Sequence, residues 1–181
     1  MRKLLCVIPL LLLLCFTFAC QNKAEKAELE KFRTQAKVEE QNKAVIMKQA
    51  ELLNRGDFDA LREFLAPEYL FYTPSRSAES HSRDEYVENI KTIKKAFPDM
   101  NWKILELISV GNRVIMRYVG SGTHKREYAG IPATGNHVEY GGTGIFRIEN
   151  GKVVEEKVDG DSLGILLQLG MELKPKEEKK K

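Results

Sequence analysis

The sequence predicts an α+β domain in which helices gather in the first half and an antiparallel sheet fills the second. Three observations predict it. From Ala24 to Asn54 there is no Pro or Gly, and Ala, Glu, Lys, Gln and Leu dominate, all strong helix formers. Ser82 followed three residues later by Glu85 has the spacing of a capping box, the start signal of another helix. Gly111-Asn112 and Asn150-Gly151 each separate two apolar, β-branched runs, as two-residue hairpin turns do. Helices collected ahead of a strand meander make an α+β arrangement.

The elements follow in order. Arg2 and Lys3 precede an apolar run from Leu4 to Ala19, then Cys20, then QNKAEK, which is the layout of an export signal ending at a lipid-acceptor cysteine. Cleavage before Cys20 removes Cys6 and Cys15 and leaves one thiol, so the mature chain has no internal disulfide and Cys20 is the lipidation candidate. The expectation is a lipoprotein of the cell envelope, held to the membrane by its N-terminal anchor and facing the periplasm or the exterior. An ordinary cleaved signal peptide and an uncleaved anchor are the alternatives, the apolar run being short of the roughly 20 residues a spanning helix needs. Residues 1–19 are then signal peptide, and 20–41 a charged helical stalk on which Leu29, Phe32 and Ala36 form only a thin stripe. Residues 42–170 are the folded domain, and 171–181 a Lys/Glu-rich solvated tail. The net charge is +3 at pH 7, with much of the excess in that tail. No basic face is interleaved with aromatics, so no nucleic-acid partner is expected.

Within the domain, Ile46, Ala50 and Leu53 recur at helical spacing. Gly56 stops that helix and Asp57 caps a second, with Phe58, Leu61 and Phe64 or Leu65 inward and Pro67 at its end. A strand from Tyr69 to Thr73 and a loop, PSRSAESHS, lead to a third helix, on which Tyr86, Ile90, Ile93 and Phe97 share a face before Pro98. Strands fill Asn101 to Asp161, interrupted by the loop GIPATG, and a short helix from Ser162 to Leu169 closes the domain.

Counting back from a two-residue turn at Asn150-Gly151 pairs Ile148 with Val153, Phe146 with Glu155, Gly144 with Lys157, and Tyr140 with Asp161. One face then carries Tyr140, Phe146, Ile148, Val153, Glu155, Lys157, Asp159 and Asp161. Such a mixed face is either solvent-exposed or the wall of a pocket. At Gly111-Asn112 the same count puts Leu105, Leu107, Val114, Met116, Tyr118 and His124 on one face, and Ile104, Ile108, Ile115 and Val119 on the other. His124 fits a structural, hydrogen-bonded role or a functional one. His81, His124 and His137 have no partners at ligand spacing, so no metal site is expected. The glycines of GGTG, Gly141 to Gly144, lie in a strand and mark a bend or a close approach.

FPDMNWKILELISVGNRVIMRYVGSGTH, then GIPATGNHVEY, then GIFRIENGKVVEEKVDGDSLGILLQLG, resemble the SnoaL-like polyketide cyclase (ester cyclase) family of the nuclear transport factor 2-like, ketosteroid-isomerase-like superfamily. The resemblance covers roughly residues 42 to 170. It implies a cone of curved antiparallel sheet packed on the N-terminal helices, enclosing a deep, mainly apolar cavity. It also implies that Asp161 is the general acid/base of a cofactor-independent ring closure, with His124 near the site. The candidate lining residues are Tyr72, Tyr118, Tyr140, Phe146, Glu155 and Lys157. The expected function is binding of a small, largely apolar molecule, with acid/base catalysis at Asp161 left open. The alternatives are a true cyclase, isomerase or hydrolase, and a protein-interaction module that uses the open sheet face, a homodimer through the sheet included.

Overall fold

The computed structural model describes residues 7–174, with side chains from residue 23 onward. The Cys20 thiol, and with it the lipidation expectation, and the chain beyond residue 174 lie outside the described residues. Helix α1 is Val7–Arg55, and the chain divides within it into two units, Met1–Glu39 and Glu40–Lys181. The described part of the first unit is solvent-exposed helix, with Leu29 and Phe32 uncovered and an ion pair between Glu30 and Arg33 one turn apart. Among the described residues no helix is long and apolar enough to cross a membrane.

In the second unit α1 turns Ile46, Gln49, Ala50 and Leu52 into the interior, and Gly56, at φ +68°, ends it. Asp57 then accepts from the Ala60 N–H and starts α2, Phe58–Phe64. Strand β1, Leu65–Tyr72, follows at once, earlier than the sequence indicates. Pro67 sits inside this strand, in the irregular stretch between Leu65 and Leu70 where pairing with its neighbour is broken, so its missing N–H leaves no ladder bond unmade. A two-residue strand, β2 (His81–Ser82), leads into α3, Arg83–Ala96, where both halves of the Ser82/Glu85 capping box are formed.

Strands β3 (Asn101–Val110), β4 (Arg113–Thr123), β5 (His137–Glu149) and β6 (Lys152–Gly160) form the meander, and α4 (Ser162–Gln168) closes the fold. The sheet order is β2-β1-β6-β5-β4-β3. All neighbours are antiparallel except β1 and β6, which run parallel. The sheet is therefore mixed rather than wholly antiparallel, because β1 reaches it from the helical half of the chain. Its inner face packs on α1, α2 and α3 around Ile46, Leu61, Leu65, Tyr69, Val114, Phe146 and Val153. A smaller apolar cluster joins Ala96, Phe97, Met100, Val138 and Leu169.

Both hairpin turns form where the sequence places them, with Val110 opposite Arg113 and Glu149 opposite Lys152. The pairing further from each turn does not hold. In β6 Ile148 faces Val153, but Arg147 faces Glu155 and Phe146 faces Glu156. Val154 is thus an extra residue, a β-bulge that exchanges the two faces of the strand beyond it. A second shift between Ile104 and Glu106 brings Ile104 inward and leaves Leu105 exposed.

Removing Met1–Glu39 should leave a chain that still unfolds cooperatively, because Asn42, Ile46, Gln49 and Leu52 remain. A chain starting after Arg55 loses all of them and should show no cooperative transition in a denaturant titration followed by circular dichroism.

Candidate functional site

The concave side of the sheet, α1 and α3 enclose a cavity of about 280 Å³, at the small end of ligand pockets. Ile46, Ala50, Ile90, Ile93, Met116 and Phe146 supply apolar wall, and Tyr86, Trp102, Tyr118, Tyr128 and Tyr140 an aromatic one. The exposed Thr73, Asn89, Gly160 and Ser162 stand at its mouth.

One carboxyl lines this space, that of Glu156. The Val154 bulge turns it inward, where it is 5% exposed. Tyr69 donates its hydroxyl proton to Glu156 Oε2 at 2.7 Å, and Gln49 Nε2 donates to the same oxygen at 2.8 Å. Burial pushes the carboxyl up to about 7, against the pull of these two hydrogen bonds, which favour the ionised form. Gln49 Nε2 also donates to the Tyr86 hydroxyl at 3.3 Å. Burial first, and the charge of Glu156 second, hold Tyr69 and Tyr86 well above the ordinary phenol range, so both keep their protons.

Across the cavity, Tyr118 and Tyr140 meet edge to face with ring centroids 6.3 Å apart. Tyr118 lies opposite Gly142, and Tyr140 opposite Gly120, on neighbouring strands. A Cβ at either glycine would fall inside the tyrosine ring across from it, which is the close approach that the strand glycines foreshadow. Burial raises both phenols, Tyr140 to about 12, so each is a neutral O–H donor. Tyr140 is fixed by Trp102, whose indole Nε1 donates to its oxygen at 2.9 Å.

Tyr118, Tyr140 and Phe146 thus line the cavity, whereas Tyr72, Glu155 and Lys157 do not. Lys157 pairs with Glu155 at 3.5 Å and lies over the Tyr72 ring at 5.1 Å, while Glu155 also approaches Arg113 at 3.9 Å. The bulge is the reason: Phe146 shares its face with Glu156, not with Glu155 and Lys157. Asp161 is exposed and caps α4, accepting from the Gly164 N–H at 2.7 Å. It flanks a shallow groove on the sheet with Arg117 and Asp159 and is not part of the cavity wall. His124 is fully buried and stacks on Phe97 with centroids 5.0 Å apart. Its Nδ1 accepts from the Thr134 N–H at 3.3 Å, and its backbone bonds to Gly135 and Asn136 at the end of the loop. This is a structural anchor for the GIPATG loop, away from the cavity lining.

Glu156, Gln49, Tyr69 and Tyr86 are not among the site residues expected from the sequence, which places Tyr86 only on the shared face of the third helix. Two signals were present. Val153-Val154 is an apolar doublet that breaks strand alternation, and Gln49 is a polar residue on the same helical stripe as Ile46, Ala50 and Leu53. Among the described residues no three His, Cys, Asp or Glu side chains converge as metal ligands would.

Several solved structures share the fold. AclR from Streptomyces galilaeus, a candidate hydroxylase, is 25% identical over 73% of this chain and 97% of its own, with a TM-score of 0.67. IdmH from Streptomyces antibioticus, a candidate polyketide cyclase, is 28% identical over 72% of this chain and 99% of its own, with a TM-score of 0.64. TsrD from Streptomyces laurentii is 26% identical over 72% and 95%, also with a TM-score of 0.64. No curated protein sequence matches. The family model described as SnoaL-like polyketide cyclase matches residues 43–169, the whole of the sheet and the helices that line the cavity, and the chain belongs to that family.

Proposed function

We propose that the domain takes a small, largely apolar molecule into the cavity and that Glu156 moves a proton on it without a cofactor, in an isomerisation or ring closure. The observation that carries this reading is a single buried carboxyl, with its pKa raised to about 7, in a wall that is mainly hydrocarbon and neutral phenols and holds no other charged side chain. A base tuned near the working pH is the most effective general acid/base. Its carboxylate would take a proton from a carbon next to a carbonyl. Tyr118 and Tyr140 offer O–H donors to the oxygen on which negative charge then develops, and the protonated Glu156 returns the proton at a new position. Asp161 supports α4 instead of the chemistry. The reading extends to an exported lipoprotein anchored at Cys20 in the cell envelope, which the N-terminal sequence supports.

A second reading concerns partners. Ile108, Ile115 and Ile145 are opposed across β3, β4 and β5 and all are exposed. Arg113, Arg147 and Glu155 form the next row on the same face. A face carrying an apolar centre and charges of both signs is self-complementary about a two-fold axis, which supports a homodimer through the sheet.

Three outcomes are expected. The wild-type protein should speed deuterium exchange at the acidic carbon of 2-tetralone, followed by proton NMR, and Glu156→Gln should lose roughly 10²-fold of that rate. Asp161→Asn should leave it nearly unchanged, since Asn also caps helices. The same carboxyl sets a pH dependence of stability. Folding raises it from about 4.5 to about 7, so between those values the native state binds more protons than the unfolded state. Stability then falls as pH rises through this window and levels off above it, by about 3 kcal/mol in all at ~1.4 kcal/mol per unit. Thermal melts at mildly acidic and mildly alkaline pH should show this loss in the wild type and a smaller one in Glu156→Gln. Finally, Ile115→Asp should shift sedimentation from dimer to monomer without changing the far-UV circular dichroism.

A further inference from the structure

We propose that Gln49 selects the ligand, its side-chain carbonyl Oε1 being the acceptor for a hydroxyl or N–H group on the ligand's buried end. The proposal rests on the reading of the cavity as a ligand site and specifies what that site takes.

Gln49 is 2% exposed and lines the cavity from α1 together with Ile46, Ala50 and Leu53. Its amide nitrogen donates both to Glu156 Oε2 and to the Tyr86 hydroxyl, which uses its two hydrogens. Reversing the amide would set its oxygen against the Glu156 carboxylate, so these partners fix the orientation. Oε1 is then a buried acceptor with no partner. Buried polar atoms without a partner are rare and mark a place where something binds or is stored. No side chain of the wall donates to it: the Tyr69 hydroxyl serves Glu156, the Trp102 indole serves Tyr140, and the hydroxyls of Tyr86, Tyr118 and Tyr140 make no bond to it. An acceptor can be satisfied only by a donor, and an occupant of the cavity can bring one.

The surroundings restrict the rest of that occupant. Ile90, Ile93, Met116 and Phe146 favour hydrocarbon, and about 280 Å³ suits one or two rings. An ammonium would lose its hydration against these walls, and a carboxylate would meet Glu156. The ligand class is therefore an uncharged, mostly apolar ring compound headed by one hydroxyl or N–H. A hydroxyl or N–H at that end satisfies Oε1 whether or not the ligand also carries the carbonyl on which Glu156 acts, whereas ethers and ketones without such a group can accept but not donate and bind less tightly.

The test compares 4-propylphenol with 4-propylanisole on the full-length protein at neutral pH. Trp102 is the only tryptophan in the chain and lines the cavity, so its fluorescence reports occupancy, with isothermal titration as a second readout. The phenol should bind about tenfold or more tightly than the anisole, and in Gln49→Leu this preference should fall to roughly twofold or less. Equal binding of both probes by the wild type would overturn the role of Gln49 while leaving the cavity as a binding site. A preference that persists in Gln49→Leu overturns it as well, since the donor would then be going to Glu156. Failure of both probes to bind would overturn the proposal together with the ligand-site reading. If Gln49→Leu does not fold, the wild-type comparison alone decides.

Discussion

One extra residue, Val154, decides which chemistry faces the interior. Without it, the alternation set at the Asn150-Gly151 turn would carry Glu155, Lys157 and Asp159 inward, placing three charges against Phe146 and Ile148. With it, Val153 and Val154 are both buried, the faces of β6 exchange, and Glu156, Val158 and Gly160 line the cavity instead. The parallel neighbour β1 absorbs the same irregularity between Leu65 and Leu70, around Pro67. The distortion is thus shared by two strands, as is common for bulges that re-aim a side chain beside a site.

The carboxyl so placed is held between opposing forces. Burial disfavours its charge, and bonds from Tyr69 and Gln49 favour it. Those bonds keep a buried carboxylate accessible near neutral pH, where desolvation alone would leave it protonated. Of the two residues that family resemblance nominates, Asp161 caps α4 and His124 bonds to the loop after β4. A shared fold with a candidate hydroxylase and a candidate cyclase is consistent with sites being rebuilt on a constant frame.

Most of the frame could be read from local chemistry. The caps at Asp57 and Ser82, the stop at Gly56 and both hairpin turns act over a few residues, and all formed where the sequence put them. The site was harder to read because its members are set by register over longer distances. A hairpin turn specifies pairing only until the first bulge, and each hairpin has one. Tyr118, Tyr140 and Phe146 line the cavity as alternation along the bulge-free pair β4 and β5 leads one to expect. Glu155 and Lys157 were misplaced by one residue beyond Val154. Gln49 has no apolar signature of its own, and only its place in the stripe of Ile46, Ala50 and Leu53 signals a buried function. The parallel pairing of β1 with β6 joins residues far apart in sequence and has no local signature.

The two tyrosines that face each other across β4 and β5 each rest on a glycine of the opposite strand. The width of the cavity is consequently encoded twice, once in each ring and once in the absent side chain that gives it room. Neither member of a pair can drift alone. A side chain gained at Gly142 would press Tyr118 into the cavity and narrow it, whereas a smaller residue at Tyr118 would leave an unfilled space above Gly142. Wider or narrower cavities can therefore arise on this frame through paired exchanges on adjacent strands, at positions of which only one lines the cavity.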